Sequence, residues 1–244
     1  MSQNDKRIEG LRAAIDAQIS RGADASLAYL HIPKTGGTSL HALFAERWRQ
    51  GRPAPLYLPH HCDMDAIDAL LPDARIILVT REPLERMASG FLSRLRQGRP
   101  RYDRPWTRGE ATAFSVYRQP GALFRALLSA DEFDISMSAF ALCEIAHLRR
   151  GYQHYFHSAE RVRKAKARFA LVGEIGAMGR FIEGLAALLG APAAELSAAY
   201  APAHVGAVGG GAAIAALSDA ERAELRLRLG REYGIWSALR EMVG

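Results

Sequence analysis

The chain has 244 residues, of which 49% are hydrophobic and 24% charged, and its formal net charge is +6. These values exclude an extensively disordered chain, and the length suits one sizeable core. Cys62 and Cys143 are the only cysteines, which excludes both a disulfide framework and a four-cysteine zinc cluster. Arginine carries the positive charge, since there are only four lysines, and this excess favours an anionic ligand.

Neither a membrane-spanning segment nor a signal sequence is predicted. No apolar run approaches the ~20 residues that a membrane span requires. The first ten residues are polar and mixed in charge, without the apolar core of a signal peptide. We therefore predict a cytoplasmic protein with no membrane span.

The chain begins with a predicted helix over 5–22, followed by a buried strand over 27–32 that ends at Pro33. A second helix is predicted over 38–50. Between this strand and this helix, segment 31–40 reads His-Ile-Pro-Lys-Thr-Gly-Gly-Thr-Ser-Leu. The segment therefore joins the end of a strand to the start of a helix through a glycine-containing turn.

This junction has the composition of an anion-binding site. The first N–H groups of a helix lack intrahelical partners, and the helix dipole favours negative charge there. Gly36 and Gly37 allow close approach of a phosphate, Lys34 adds a full charge, and Thr38 and Ser39 add hydroxyl donors. The lysine precedes both glycines, so this is not a Walker A motif. An ordinary strand–turn–helix with glycines for the turn is the alternative.

The next stretch repeats the alternation of strand and helix. Strands are predicted at 55–58 and 74–80, and helices at 63–71 and 83–96. Asp63 is placed to cap the first of these helices, and Pro83 stands in the first turn of the second. The pair His60 and His61 lies between the strand at 55–58 and its helix.

The remainder of the chain contains one more strand and mostly helical segments. Residues 97–112 are predicted as an exposed loop, 114–168 as mostly helical, and 201–211 as a glycine-rich connector. A strand at 169–173 precedes helices at 178–189, 218–230 and 231–242. The pattern predicts an α/β protein with a three-layer, P-loop-like fold, in which helices flank a central parallel sheet. We predict a single domain over 1–244 with a mostly helical insertion at about 97–168.

Two motifs together resemble the sulfotransferases that use 3′-phosphoadenosine 5′-phosphosulfate (PAPS). Pro-Lys-Thr-Gly-Gly-Thr-Ser at 33–39 is similar to the family's 5′-phosphosulfate loop. The family's 3′-phosphate motif reads Arg-x-Pro-x-x-Arg-x-x-Ser, and Arg81, Pro83, Arg86 and Ser89 match every fixed position. The resemblance is closest to the carbohydrate branch that contains heparan sulfate 2-O-sulfotransferase.

The resemblance implies a specific set of cofactor-binding residues. Those implied for the 5′-phosphosulfate are Lys34, Thr35, Gly36, Gly37, Thr38 and Ser39, and those implied for the 3′-phosphate are Arg81 and Ser89. Lys34 would also be catalytic, because it would neutralise the bridging oxygen as this leaves. The expected product is adenosine 3′,5′-bisphosphate, and the chemistry needs no metal.

The resemblance also implies a histidine base and an acceptor hydroxyl. The branch has a Gly-His pair after its second strand, and His61 aligns with that histidine while His60 stands where the glycine would be. We predict His61 as the base, with His60 and Glu46 as alternatives. His31 and Cys62 are interpreted as packed side chains. The acceptor is expected to be a glycan or a small molecule and not a nucleic acid, and the sequence leaves the oligomeric state open.

An arginine-rich stretch follows the 3′-phosphate motif. Its members are Arg94, Arg96, Arg99, Arg101, Arg104 and Arg108, with Tyr102 and Trp106 between them. It is either a solvated loop or a lip that binds the acceptor. Two other classes of function stay open beside the sulfotransferase: a P-loop-type nucleotide kinase or NTPase, and a non-catalytic module that binds anions or nucleic acid.

Overall fold

The computed structural model describes residues 3–100, 102–201 and 210–243, so most of the connector predicted at 201–211 lies outside the described residues. The chain forms two compact units. The first comprises residues 1–81, 154–203 and 235–244, and the second comprises 82–153 and 204–234. The sequence-based division into one domain with an insertion at 97–168 stays a prediction.

The first unit contains the sheet. Its strands are β1 (Ala23–Leu30), β2 (Ala54–Leu58), β3 (Arg75–Thr80) and β4 (Phe169–Glu174). They lie in the order β2-β1-β3-β4, and every pairing is parallel. The predicted α/β class with a parallel central sheet is therefore confirmed.

Helices pack against this sheet. The described helices of the first unit include α1 (Gln3–Ile19), α2 (Gly37–Arg49), α3 (Met64–Leu70), α9 (Ala159–Lys164), α10 (Met178–Leu188) and α11 (Ala193–Ala199). On one face of the sheet, Leu27 and Tyr29 of β1 share a buried cluster with Phe44 of α2 and Phe181 of α10. Gln18 of α1 binds the backbone of Tyr57, donating to its carbonyl at 3.0 Å and accepting from its N–H at 2.7 Å. These contacts satisfy backbone groups of the edge strand β2.

The second unit is helical. Its described helices are α4 (Pro83–Leu95), α5 (Arg108–Val116), α6 (Pro120–Ala126), α7 (Glu132–Glu144), α12 (Gly210–Ala215) and α13 (Asp219–Arg228). Two further helices, α8 (Tyr152–Phe156) and α14 (Gly230–Arg240), contribute residues to both units. Phe91 of α4, Phe114 of α5 and Phe124 of α6 are at most 1% exposed and lie in one apolar cluster. This cluster gives the second unit a core of its own.

The predicted strands and the long predicted helices are all present, with ends shifted by a few residues. Asp63 caps α3 as predicted, accepting from the N–H of Ala66 at 2.9 Å. The predicted loop at 97–112 is wrong at its end, because α5 begins at Arg108. Thr107 and Glu110 form a reciprocal capping box there, which fixes the helix start.

In the part of the chain that the structure describes, no helix combines the length and apolar character needed to cross a bilayer.

Candidate active site

The motif residues of the first unit lie at the carboxyl edge of the sheet. Leu30 at the end of β1 pairs with Leu58 at the end of β2, and Tyr29 pairs with Ile77 of β3. Segment 31–39, the pair His60 and His61, and Arg81 follow these three strand ends. Parallel neighbours therefore bring the loop, the candidate bases and the first residue of the 3′-phosphate motif to one edge.

The loop has an unusual backbone conformation. Lys34 has φ of +72° and Gly36 has φ of +87°, both in the left-handed region. This conformation costs little at glycine but is unfavourable at lysine, and such strain is typical of functional loops. Gly36 is the N-cap of α2, and no described side chain caps that terminus. The first turn of α2 thus presents backbone donors and the positive end of the helix dipole.

Gly37 is required by close packing. A Cβ at Gly37 would lie 2.0 Å from the ring of His31, so no larger residue fits without a shift. His31 is 6% exposed, in agreement with its interpretation as a packed residue. The ring of His31 therefore packs against the backbone of the loop at Gly37.

The loop side chains divide into inward and outward groups. Thr35 is fully buried, and its hydroxyl donates to the carbonyl of Ile32 at 2.9 Å. Ser39 is 6% exposed, and its side chain makes a hydrogen bond with Tyr200. Lys34, Gly36 and Thr38 are half-buried. The hydroxyls of Thr35 and Ser39 thus hold the loop, while Lys34 and Thr38 keep accessible side chains.

His60 lies against this loop. Its ring centroid is 3.9 Å from that of His31, and its Nδ1 is 3.3 Å from the carbonyl oxygen of His31. Tyr155 donates its hydroxyl to the carbonyl of His60 at 2.8 Å. The ring of Tyr57 also packs on that of His31, with their centroids 5.2 Å apart, and its hydroxyl is hydrogen-bonded to His31 Nδ1. Contacts to its ring and to its backbone carbonyl therefore both fix the position of His60.

The contact between His60 and the His31 carbonyl favours one tautomer of His60. A carbonyl oxygen only accepts hydrogen bonds, so this 3.3 Å contact favours a hydrogen on Nδ1. In the neutral form of that tautomer, Nε2 holds the lone pair that a general base needs.

The two other candidate bases are placed differently. His61 is exposed, and its backbone carbonyl accepts from Arg7 at 3.1 Å, while Arg7 also pairs with Asp63 at 2.8 Å. Glu46 forms an ion pair with Arg49 and lies nine residues along α2 from Gly37, or about 13 Å. The ring of His60 contacts that of His31, a residue of the loop at 31–39.

The residues of the 3′-phosphate motif differ in their environments. Arg81 is half-buried and directly follows β3 in the first unit. Ser89 is 8% exposed on α4 in the second unit. Arg86 is 1% exposed and is held by other groups of the second unit, among them Glu232 at 3.7 Å. The burial and contacts of Arg86 are therefore those of a structural residue, although its position matches the motif.

The arginine-rich stretch is partly built into the second unit. Arg94 is 2% exposed and forms a forked ion pair with Glu110, with both N···O distances at 2.7 Å. Trp106 donates to the carbonyl of Arg94 at 2.7 Å and packs on Phe114. Arg94 is therefore buried in the second unit and does not belong to a solvated loop, and Trp106 packs partly against the core of that unit. Arg101 lies outside the described residues.

The two cysteines differ in accessibility, and this yields a first prediction. Cys62 is 1% exposed, and burial, aided by Asp63, raises the pKa of its thiol to about 12. Cys143 is exposed. Because the thiolate is the reactive form, we expect an aromatic disulfide reagent at neutral pH to modify Cys143 promptly and Cys62 only after unfolding. Rapid modification of two thiols in the native protein would contradict the buried placement.

Sequence reasoning missed three tyrosines around the loop. Tyr57 contacts His31, Tyr155 holds His60, and Tyr200 binds Ser39. Tyr57 could have been inferred, because it occupies a predicted strand that neighbours β1. Tyr155 and Tyr200 reach the site from helical segments distant in sequence, and no local pattern indicates this.

Comparison with protein-family models, with curated proteins and with solved structures finds no match to this chain.

Proposed function

We propose that this protein is a PAPS-dependent sulfotransferase that transfers a sulfuryl group to an acceptor hydroxyl. One observation carries the proposal. The loop containing Lys34 and the motif residue Arg81 follow β1 and β3, which are adjacent parallel strands of the same unit. The carboxyl ends of parallel strands are where open α/β sheets bind nucleotides.

The residues present fit the nucleotide. The left-handed Gly36 and the uncapped start of α2 leave backbone donors for a phosphate group, and the missing Cβ of Gly37 lets the ring of His31 pack against the loop. Lys34 and Arg81 add two cations at the same edge. These features support binding of an anionic group by side chains and amides, without a required ion.

The chain's own residues suit the three tasks of the reaction. When bound, PAPS supplies the sulfuryl group, which passes in line from the 5′-phosphate oxygen to the acceptor oxygen. Nε2 of His60 takes the proton of the acceptor hydroxyl. Lys34 neutralises the charge on the departing phosphate oxygen, and N–H groups at the start of α2 stabilise the equatorial oxygens. The products are a sulfate ester and adenosine 3′,5′-bisphosphate.

The assignment of the base modifies the sequence-based expectation. Alignment with the family favours His61, whereas the contacts of His60 with His31 and Tyr155 favour His60. We propose His60 as the base and keep His61 as its competitor. From the family resemblance we also propose a carbohydrate or other small hydroxyl compound as acceptor. From the cysteine content, two thiols that fit a reducing compartment, we propose a cytoplasmic location.

Isothermal titration calorimetry tests the proposal. We expect the protein to bind adenosine 3′,5′-bisphosphate in the presence of EDTA and to bind 5′-AMP more weakly. Arg81→Ala should cost about 10- to 100-fold in affinity for the bisphosphate and much less for 5′-AMP, because one charge-assisted interaction is lost.

Two results would contradict the proposal. Equal affinity for the two nucleotides would show that the chain does not recognise a 3′-phosphate. Binding of ATP that disappears when EDTA is added would favour the nucleotide kinase or NTPase instead.

A further inference from the structure

Arg86 matches the 3′-phosphate motif but is buried within the second unit, where Nη1 and Nη2 have partners and Nε has no hydrogen-bond partner among the described residues. Its Nη1 donates to the carbonyls of His147 and Arg150, both at 3.3 Å, and its Nη2 lies 3.7 Å from Glu232. Its guanidinium stacks over the ring of Tyr152, 5.5 Å from the centroid. A guanidinium that is 1% exposed and held in this way is not available to a phosphate.

Glu232 is the centre of the same network. Its carboxylate accepts from the N–H of Tyr152 at 2.7 Å and from that of Gln153 at 2.9 Å. A Cβ at Gly151 would lie 2.4 Å from both carboxylate oxygens, so glycine is needed for the carboxylate to reach this backbone. Glu232 thus joins the start of α14 to the start of α8 and to Arg86 of α4.

The neighbouring residue makes a second link to α4. The hydroxyl of Tyr233 donates to Glu82, whose other carboxylate oxygen accepts from the N–H of Glu85 at 2.8 Å and caps α4. Glu82 directly follows Arg81 in the chain. Two consecutive residues of α14 therefore hold the first two turns of α4, one through the cap and one through Arg86.

From these contacts we propose that Glu232, Tyr233 and Arg86 are positioning residues for Ser89, the residue of the 3′-phosphate motif that lies in the second unit, and that they act by fixing the first turns of α4. The inference rests on the proposed function. Ser89 lies one turn beyond Arg86 on the same helix face. A shift of the first turns of α4 would therefore move the hydroxyl of Ser89 relative to a phosphate bound to it.

The test uses the preference for a 3′-phosphate, which is the ratio of the Kd of 5′-AMP to that of adenosine 3′,5′-bisphosphate. Tyr233→Phe removes one hydroxyl and should lower this ratio about three- to tenfold, as expected for one hydrogen bond. Glu232→Gln removes the charge that faces Arg86 and should lower the ratio about tenfold or more. In both variants the affinity for 5′-AMP should stay near that of the wild type.

Glu110→Gln is the matched control. Glu110 forms a buried ion pair with Arg94 at the far end of α4, with both side chains at most 3% exposed. This variant should lower Tm as Glu232→Gln does, and it should leave the ratio unchanged. A purely structural role of Glu232 predicts the same behaviour for both variants.

The outcomes separate the two proposals. If the wild-type protein shows no preference for the bisphosphate, the proposed function fails, and the positioning role fails with it. If the wild type shows the preference and both Tyr233→Phe and Glu232→Gln retain it, only the positioning role is overturned. Should Glu232→Gln unfold at the assay temperature, Tyr233→Phe decides alone.

Discussion

Replacing His60 with alanine is expected to reduce the rate of sulfuryl transfer by about 10²–10⁴-fold, the usual contribution of a positioned base. The affinity for adenosine 3′,5′-bisphosphate should change little, because Nε2 of His60 would act on the acceptor hydroxyl. The acid-side limb of the pH–rate profile should disappear in the variant. Steady-state kinetics over a pH series, together with calorimetry of the nucleotide, measures all three quantities.

His61→Ala is the natural control, since it alters the adjacent residue. His61 is exposed, whereas the ring of His60 lies 3.9 Å from that of His31. We expect its turnover to stay within a few-fold of the wild type. If His61→Ala abolished turnover while His60→Ala did not, the base would be His61, as alignment with the family predicts. Full activity of both variants would refute a histidine base.

Replacing Lys34 with alanine or with glycine is expected to reduce activity equally, but the two variants should differ in stability. Lys34→Ala and Lys34→Gly should both reduce turnover by about 10²–10³-fold, the typical effect of removing one group that stabilises developing charge. The glycine variant should nevertheless be more stable than the alanine variant by about 1 kcal/mol. Position 34 has φ of +72°, where a Cβ is unfavourable.

Thermal denaturation and steady-state kinetics of the same two preparations test this expectation. Lys34→Arg serves as a control that keeps the charge and the left-handed strain. Wild-type turnover in the alanine and glycine variants would remove Lys34 from the mechanism. Equal stability of these two variants would mean that the strain at this position is negligible.

Much of the first unit follows from local patterns in the sequence. Apolar runs identify its strands, and Asp63 marks the start of α3 because a cap acts through neighbouring residues. Pro83 marks the start of α4 in the second unit, because a first-turn proline also acts locally. The strand predicted from residue 27 in fact begins at Ala23. Ala23 and Asp24 pair with Ala54 and Pro55, and backbone pairing at a strand end does not require apolar side chains.

The limits of the sequence appear where distant residues determine a side chain's environment. In the sequence, Arg86 matches the 3′-phosphate motif and Arg94 belongs to an arginine-rich stretch. Their carboxylate partners, Glu232 and Glu110, lie elsewhere in the chain. Such buried pairs depend on tertiary packing, which motif spacing does not encode.

The choice between His60 and His61 as the base likewise depends on contacts with residues that are distant in the sequence. The ring of His60 is directed by His31 and its backbone by Tyr155, and neither contact is a local signal.

The transfer reaction itself tests whether the protein moves a sulfuryl group from PAPS to a hydroxyl compound. Sulfur-labelled PAPS and γ-phosphate-labelled ATP would be offered in parallel to one panel of glycans and small hydroxyl compounds, with the His60→Ala and Lys34→Ala variants alongside the wild type. We expect acceptor-dependent transfer of the sulfur label, release of adenosine 3′,5′-bisphosphate in equal amount, and loss of both in the two variants. Transfer of the phosphate label from ATP, with no sulfur label in any acceptor, would contradict the proposed function.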